Sequence, residues 1–263
     1  MIRKRSLIAG VCSFAAAALA PAAFAAAPIE PLTHGRFGEI HVYQSAAAPR
    51  DVVLFLSGDG GWNLGVVTMA QHLADQGALV AGIDIRHYLQ QLEQSPDQCV
   101  SPSADASDLS HFLQSKLALS QYLEPTLVGY SSGATLVYAT LLQAPAGTFK
   151  GALSIGFCPD LDLKKPLCKG SGVESTPRHS AQGVLQGVDI SPARALPAKW
   201  ISLQGQLDQV CPYAATQKFI AKVNGGEMIL LPKVGHGYSV EKNWLPQFEA
   251  AYRRITAGEP NKP

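Results

Sequence analysis

Asp51–Leu56 (Asp-Val-Val-Leu-Phe-Leu) is apolar at every position after the first. A strand with one wet face alternates polar and apolar residues. An unbroken apolar run of this length fits a strand covered on both faces, as in a parallel sheet. Further strand-like runs follow at 79–85, 125–128, 150–156, 198–203 and 228–231, with an earlier one at 40–43. Helix-like stretches separate them. Residues 64–76 carry Val66, Val67, Ala70, Leu73 and Ala74 on one stripe, with Asn63 placed to cap the start and Gly77 to end it. Residues 103–119 place Leu109, Phe112, Leu113 and Leu117 on one face. Helices are also expected at 132–143, 213–223 and 242–255. Strand and helix therefore alternate along the chain, which predicts an α/β fold: a mostly parallel central sheet with helices on both faces.

Three stretches fall outside that rhythm. Residues 26–36 are rich in Pro and Ala and read as loose. Residues 86–102 read as a polar loop. Residues 158–197 are long and rich in Gly, Ser and Pro. Connections of that length usually serve as lids or mobile loops, so this one is expected to be a cap or substrate-facing insertion, with a plain surface loop as the alternative.

The first 25 residues read as an address. Arg3, Lys4 and Arg5 precede an uncharged apolar run, and Ala23 and Ala25 flank Phe24 in a small-residue cleavage pattern. The run is short for a bilayer span of roughly 20 residues. A cleaved signal peptide over 1–25 and a single domain over 26–263 in the periplasm are therefore expected. Removing the leader leaves 18 basic residues against 20 acidic ones. That balance excludes the basic footprint of a nucleic-acid binder. Cys12 leaves with the leader. Cys99, Cys158, Cys168 and Cys211 remain, an even number that implies disulfides in an exported chain. Three pairings are possible, and the spacing selects none. The absence of any Cys-x-x-Cys pair argues against a metal site.

The chemistry concentrates in Gly129-Tyr130-Ser131-Ser132-Gly133. This Gly-x-Ser-x-Gly pentapeptide lies between a predicted strand and a predicted helix, the context of a nucleophile elbow. Ser131 is the expected nucleophile, with Ser132 the off-centre alternative. A serine hydroxyl needs a base to take its proton. His236, in Gly235-His236-Gly237 after the last predicted strand, is the expected base. Asp208 follows the preceding strand and is the expected acid that orients the imidazole. The order Ser, Asp, His is that of the α/β-hydrolase fold. The oxyanion hole is expected from the amides of Ser132 and of Asp59, with Gly60 as rival to Asp59, on the glycine-rich loop 57–62. Gly60, Trp62, Tyr130 and Asp160 are candidates for substrate contact. Such a triad needs no metal or organic cofactor.

Ser-Gly-Asp-Gly-Gly-Trp (57–62) and Gly-Tyr-Ser-Ser-Gly-Ala (129–134) resemble the VirJ/AcvB family of bacterial virulence proteins. Phe-Cys-Pro-Asp-Leu (157–161), Gln-Val-Cys (209–211) and Gly-His-Gly (235–237) fit the same pattern. The resemblance spans roughly residues 36–255. The extra N-terminal region of AcvB proteins is not expected, so the architecture is closer to VirJ. The resemblance implies a periplasmic hydrolase that cuts the aminoacyl ester of lysyl- or alanyl-phosphatidylglycerol. It also implies a second class, a binding factor associated with type IV secretion and its proteins. A carboxylesterase for small esters shares the same triad. An aminoacyl ester carries an ammonium near the scissile carbonyl, and Asp59 or Asp160 is a candidate partner for it. The alternative role for Asp59 is to stiffen its own turn.

Overall fold

The computed structural model describes residues 30–45 and 47–257. The signal-peptide expectation for residues 1–25 lies outside the described residues. Eleven strands and six α-helices follow one another among the described residues: β1 Leu32–His34, β2 Gly38–Tyr43, β3 Asp51–Leu56, α1 Gly65–Asp75, β4 Ala78–Ile83, α2 Ile85–Glu93, α3 Pro102–Lys116, β5 Thr126–Tyr130, α4 Ser132–Gln143, β6 Gly151–Ile155, β7 Asp160–Leu161, β8 Ser175–His179, β9 Leu185–Ile190, β10 Lys199–Gly205, α5 Tyr213–Ile220, β11 Gly226–Leu231 and α6 Leu245–Thr256. Eight strands form one sheet in the order β1-β2-β4-β3-β5-β6-β10-β11. Only β1 and β2 run antiparallel to their neighbours; the other pairings are parallel.

The central strands β3, β4, β5, β6 and β10 bury both faces. Val52, Leu54 and Leu56 of β3 join one apolar cluster, and Val53 and Phe55 join another. The first cluster takes in the inward stripes of α2, α3 and α4; the second takes in those of α1 and α6. The parallel strands end at one edge, and the loops that leave them there converge. That edge is where an open α/β sheet places its ligands.

The structure departs from the sequence reading in four places. Residues 32–34 are not loose: β1 pairs with β2 in the register Leu32 to Ile40. Residues 86–102 are not a continuous polar loop. Ile85, Tyr88, Leu89 and Leu92 recur at helical spacing and are buried. Asp84 caps that helix by accepting from the Arg86 amide. Asn63 does not cap α1; its side chain donates to the Gly60 carbonyl at 2.7 Å, and Leu64 occupies the cap position.

The fourth departure is the long segment after β6. It forms a three-stranded antiparallel sheet in the order β7-β9-β8. Its apolar side chains do not make a separate core. Leu161, Val188 and Ile190 join the same cluster as α3 and α4. The cysteines pair as Cys99–Cys168 and Cys158–Cys211, and both bridges tie this segment to the body.

Candidate active site

β5 passes into α4 through Ser131 alone, at φ 55° and ψ −121°. That region of backbone space is sparsely populated for a residue with a Cβ, at a cost of about 1–3 kcal/mol. The surroundings hold it there. The Ser131 amide donates to Ile155 at 2.8 Å, and its carbonyl accepts from Ala134 at 2.8 Å. The motif glycines make the turn possible. A Cβ on Gly129 would stand 2.1 Å from the Gly133 carbonyl oxygen, and one on Gly133 would stand 2.4 Å from the carbonyl oxygens of Leu56 and Ser57.

Ser131 Oγ lies 2.9 Å from His236 Nε2. His236 Nδ1 lies 2.8 Å from Asp208 Oδ2. An ionised carboxylate only accepts, so the imidazole carries its proton on Nδ1 and leaves Nε2 to accept from the serine. The Asp208 side chain is fully buried. Its Oδ1 accepts from the amides of Val210 at 2.9 Å and Cys211 at 2.8 Å. The carboxylate is thus held from both ends. His236 is fixed through its backbone as well: the Tyr130 hydroxyl donates to its carbonyl at 2.6 Å. Burial, and after it the charge of Asp208, pushes the Tyr130 and Tyr238 hydroxyls up from the ordinary phenol value. Both therefore remain donors through neutral pH; Tyr238 gives its proton to the Leu203 carbonyl at 2.7 Å.

Residues 50–154 match the family model of the bacterial virulence protein VirJ. The matched segment runs from β3 into β6, so it holds the glycine-rich loop and the Ser131 turn. Asp208 and His236 lie beyond it. No curated protein matches the chain. Among solved structures, an α/β serine hydrolase without lid from Xanthomonas campestris is 19% identical, with a TM-score of 0.54, over 91% of this chain and 98% of that one. A propionate-bound thermophilic esterase from the Planctomycetes species Thermogutta terrifontis is 15% identical, with a TM-score of 0.54, over 89% of this chain and 96% of that one. The same esterase phosphonylated by cyclosarin is 15% identical, with a TM-score of 0.53, over 86% of this chain and 90% of that one. The fold is that of the α/β hydrolases.

The VirJ-matching segment also brings the two expected oxyanion loops together. Ser132 opens α4, where the first amides have no acceptor within the helix. Its hydroxyl donates to Asp59 Oδ1 at 2.6 Å. Asp59 sits in a turn closed by the Gly61 amide on the Gly58 carbonyl at 2.9 Å. A Cβ on Gly58 would come within 2.9 Å of Ser131 Cβ, so this loop lies against Ser131. Gly60 and Tyr130 line a cleft of about 180 Å³ with Leu64, Val66, Met69 and Gly237.

Trp62 and Asp160 are placed elsewhere. Trp62 packs edge-on against Phe55, donates to the Tyr43 hydroxyl at 3.0 Å and covers Gly82, whose missing side chain makes room for the indole. It is a packing residue on the sheet and does not line the cleft. Asp160 faces the Arg178 guanidinium at 3.6 Å and lines a separate groove of about 550 Å³ beside α5. The sequence reading also passed over Gln204. This fully buried side chain accepts from the Phe157 amide at 3.1 Å and donates to the Cys211 carbonyl at 2.6 Å. It thereby joins the end of β6 to the turn that holds Asp208. A glutamine inside the apolar strand Trp-Ile-Ser-Leu-Gln was the available signal.

Proposed function

We propose that this chain is a serine hydrolase of carboxylic esters that works through an acyl-enzyme. The observation that carries the reading is the unbroken line from Ser131 Oγ through His236 to the buried Asp208 carboxylate, at 2.9 and 2.8 Å. Ser131 attacks the ester carbonyl as His236 Nε2 takes its proton. Asp208 keeps the proton of Nδ1 in place and stabilises the imidazolium. The amides of Asp59 and Ser132 receive the oxyanion. His236 then returns its proton to the leaving alcohol. A water deprotonated by His236 cleaves the acyl-enzyme in the same way. The solved esterases of this fold support the reaction class.

Within that class we propose an aminoacyl ester of phosphatidylglycerol, lysyl or alanyl, as the substrate. Asp59 supports this finer reading. One carboxylate oxygen is engaged by Ser132, and the negative charge stands beside the expected oxyanion site. A substrate ammonium next to the scissile carbonyl can pair with it. Residues 26–263 form one domain in this proposal, with 158–197 as an insertion in it, exported after removal of the leader. Two disulfides fit an oxidising compartment.

The test is hydrolysis of lysyl- and alanyl-phosphatidylglycerol beside a p-nitrophenyl ester, by the protein and its Ser131→Ala variant. Loss of all cleavage in the variant is expected. Asp59→Asn keeps an acceptor for the Ser132 hydroxyl and removes the charge. It should lower kcat/KM on the aminoacyl lipid by about fivefold, the worth of one exposed ion pair near ~1 kcal/mol, and leave the neutral ester within about twofold. Equal losses on both esters would sink the pairing with ammonium. No cleavage of any ester by folded protein would sink the enzyme and favour a VirJ-like binding role.

A further inference from the structure

Exposed large apolar side chains gather in the loops around the candidate triad. Seven large apolar side chains stand exposed among the described residues, and four of them occupy the three loops that carry site residues. Leu64 follows the glycine-rich loop at 85% exposure. Leu207 and Val210 flank Asp208 at 61% and 65%, and Val240 follows His236 at 47%. These loops leave β3, β10 and β11 at the same edge of the sheet. They also touch. Leu64 and Gly237 line one cleft, and the Leu207 amide donates to the Val234 carbonyl at 2.9 Å.

Leu64 adds an independent sign. Its φ is 46°, a region disfavoured for a residue with a branched side chain. The backbone is strained, and the side chain it presents is left in water. Strain kept at such a position is associated with function. Two lysines share the His236 loop, Lys233 before it and Lys242 after it, both exposed. Among the described residues neither has a carboxylate partner. The acids nearest in these loops are engaged: Asp59 with Ser132, and Glu241 with His72 at 3.0 Å.

We infer that this rim is a docking surface for an anionic lipid layer. Leu64, Leu207, Val210 and Val240 enter the headgroup and acyl boundary, and Lys233 and Lys242 meet the surface charge. Apolar tips beside unpaired cations are the composition that interfacial binding uses. The inference deepens the proposed function and rests on it for where the reacting centre lies. A lipid ester would be met at the membrane surface by the mouth of the cleft.

Flotation with vesicles of phosphatidylcholine, alone or mixed with phosphatidylglycerol, tests this. The protein should float with the mixed vesicles and be released as salt rises. Ser131→Ala protein should float equally well. Lys233→Gln with Lys242→Gln should weaken binding about thirtyfold, the effect of two basic residues at an anionic surface. Leu207→Ser with Val240→Ser should weaken it by about tenfold or more, from lost apolar insertion. Circular dichroism checks that each variant is folded. Failure of the wild-type protein to float, or undiminished flotation of both double variants, overturns the inference. So does a dimer in light scattering that the Leu207→Ser, Val240→Ser change dissolves, because a second copy would then be the occupant. Protein that cleaves soluble esters yet ignores vesicles refutes the surface and keeps the hydrolase; protein that floats but cleaves nothing does the reverse.

Discussion

Removing the two disulfides one at a time should separate folding from catalysis. Cys99–Cys168 and Cys158–Cys211 span 69 and 53 residues of chain. In the loop-entropy account their stabilisation is about 4.4 and 4.2 kcal/mol, too close to tell apart. Their neighbourhoods differ. The bridges sit at opposite ends of α4, a helix of 12 residues and hence about 18 Å long. Near its C-terminus, Gln143 donates to the Val100 and Cys168 carbonyls at 3.1 and 2.7 Å. Near its N-terminus, Thr135 donates to the Cys158 carbonyl at 2.5 Å. Cys211 gives its amide to Asp208 Oδ1, and Gln204 holds its carbonyl. Only the second bridge anchors the turn that aims the carboxylate.

Replacing Cys158 and Cys211 by Ser should therefore lower kcat while KM holds. A hydrogen bond to a charged group is worth about 1.5–3 kcal/mol, so misaligning one corresponds to roughly tenfold to a hundredfold in rate. Replacing Cys99 and Cys168 by Ser should shift the urea midpoint by a similar amount and leave kcat within about twofold. Rates are read where circular dichroism shows both variants folded. The downfield Nδ1–H proton of His236 gives a readout without substrate: it should broaden or vanish in the first variant and persist in the second. Equal kcat losses in the two variants, or an unchanged rate and resonance without Cys158–Cys211, would refute the reasoning.

Three further outcomes follow from named contacts. Tyr130→Phe removes the hydroxyl that holds the His236 carbonyl; kcat should fall about fivefold to tenfold, for one hydrogen bond near 1 kcal/mol, and a larger loss in KM than in kcat would count against positioning. Gly129→Ala brings a methyl within 2.1 Å of backbone that cannot yield cheaply; it should destabilise by about 3 kcal/mol, a fall in melting temperature of roughly 6–12 °C, and an unchanged melt would show the turn is looser than drawn. Burial raises the Tyr138 hydroxyl from 10.0 to about 12, so the folded state keeps a proton that the unfolded state releases first. Stability from this group is complete below pH 10.0 and is lost as pH rises through about 12. Urea midpoints should decline across that window, and Tyr138→Phe should make the decline shallower.

How far the sequence could be read depended on whether the signal was local. The parallel sheet was legible because its central strands must be apolar on both faces, and the alternation of strand and helix forced the crossovers. The elbow was legible because Gly129 and Gly133 stand where a Cβ would collide with backbone, a demand that sequence displays directly. Helix α2 was missed for the opposite reason. Its buried stripe of Ile85, Tyr88, Leu89 and Leu92 is interrupted by Arg86, His87, Gln90 and Gln91, and composition drowned the period. The packing of Trp62 was not legible because adjacency to a glycine-rich loop says nothing about direction; only the pairing of β2 with β4 shows that Gly82 is the gap the indole fills. The cysteine pairing and Gln204 belong to the same class of long-range facts. Gln204 meets Phe157 across 47 residues, and nothing near it in the chain names that partner. What sequence leaves out here is the frame that holds Asp208. A triad can be recognised from three residue types in order, but whether it is aimed depends on a buried amide side chain and a disulfide that become visible only when β6 and β10 lie side by side.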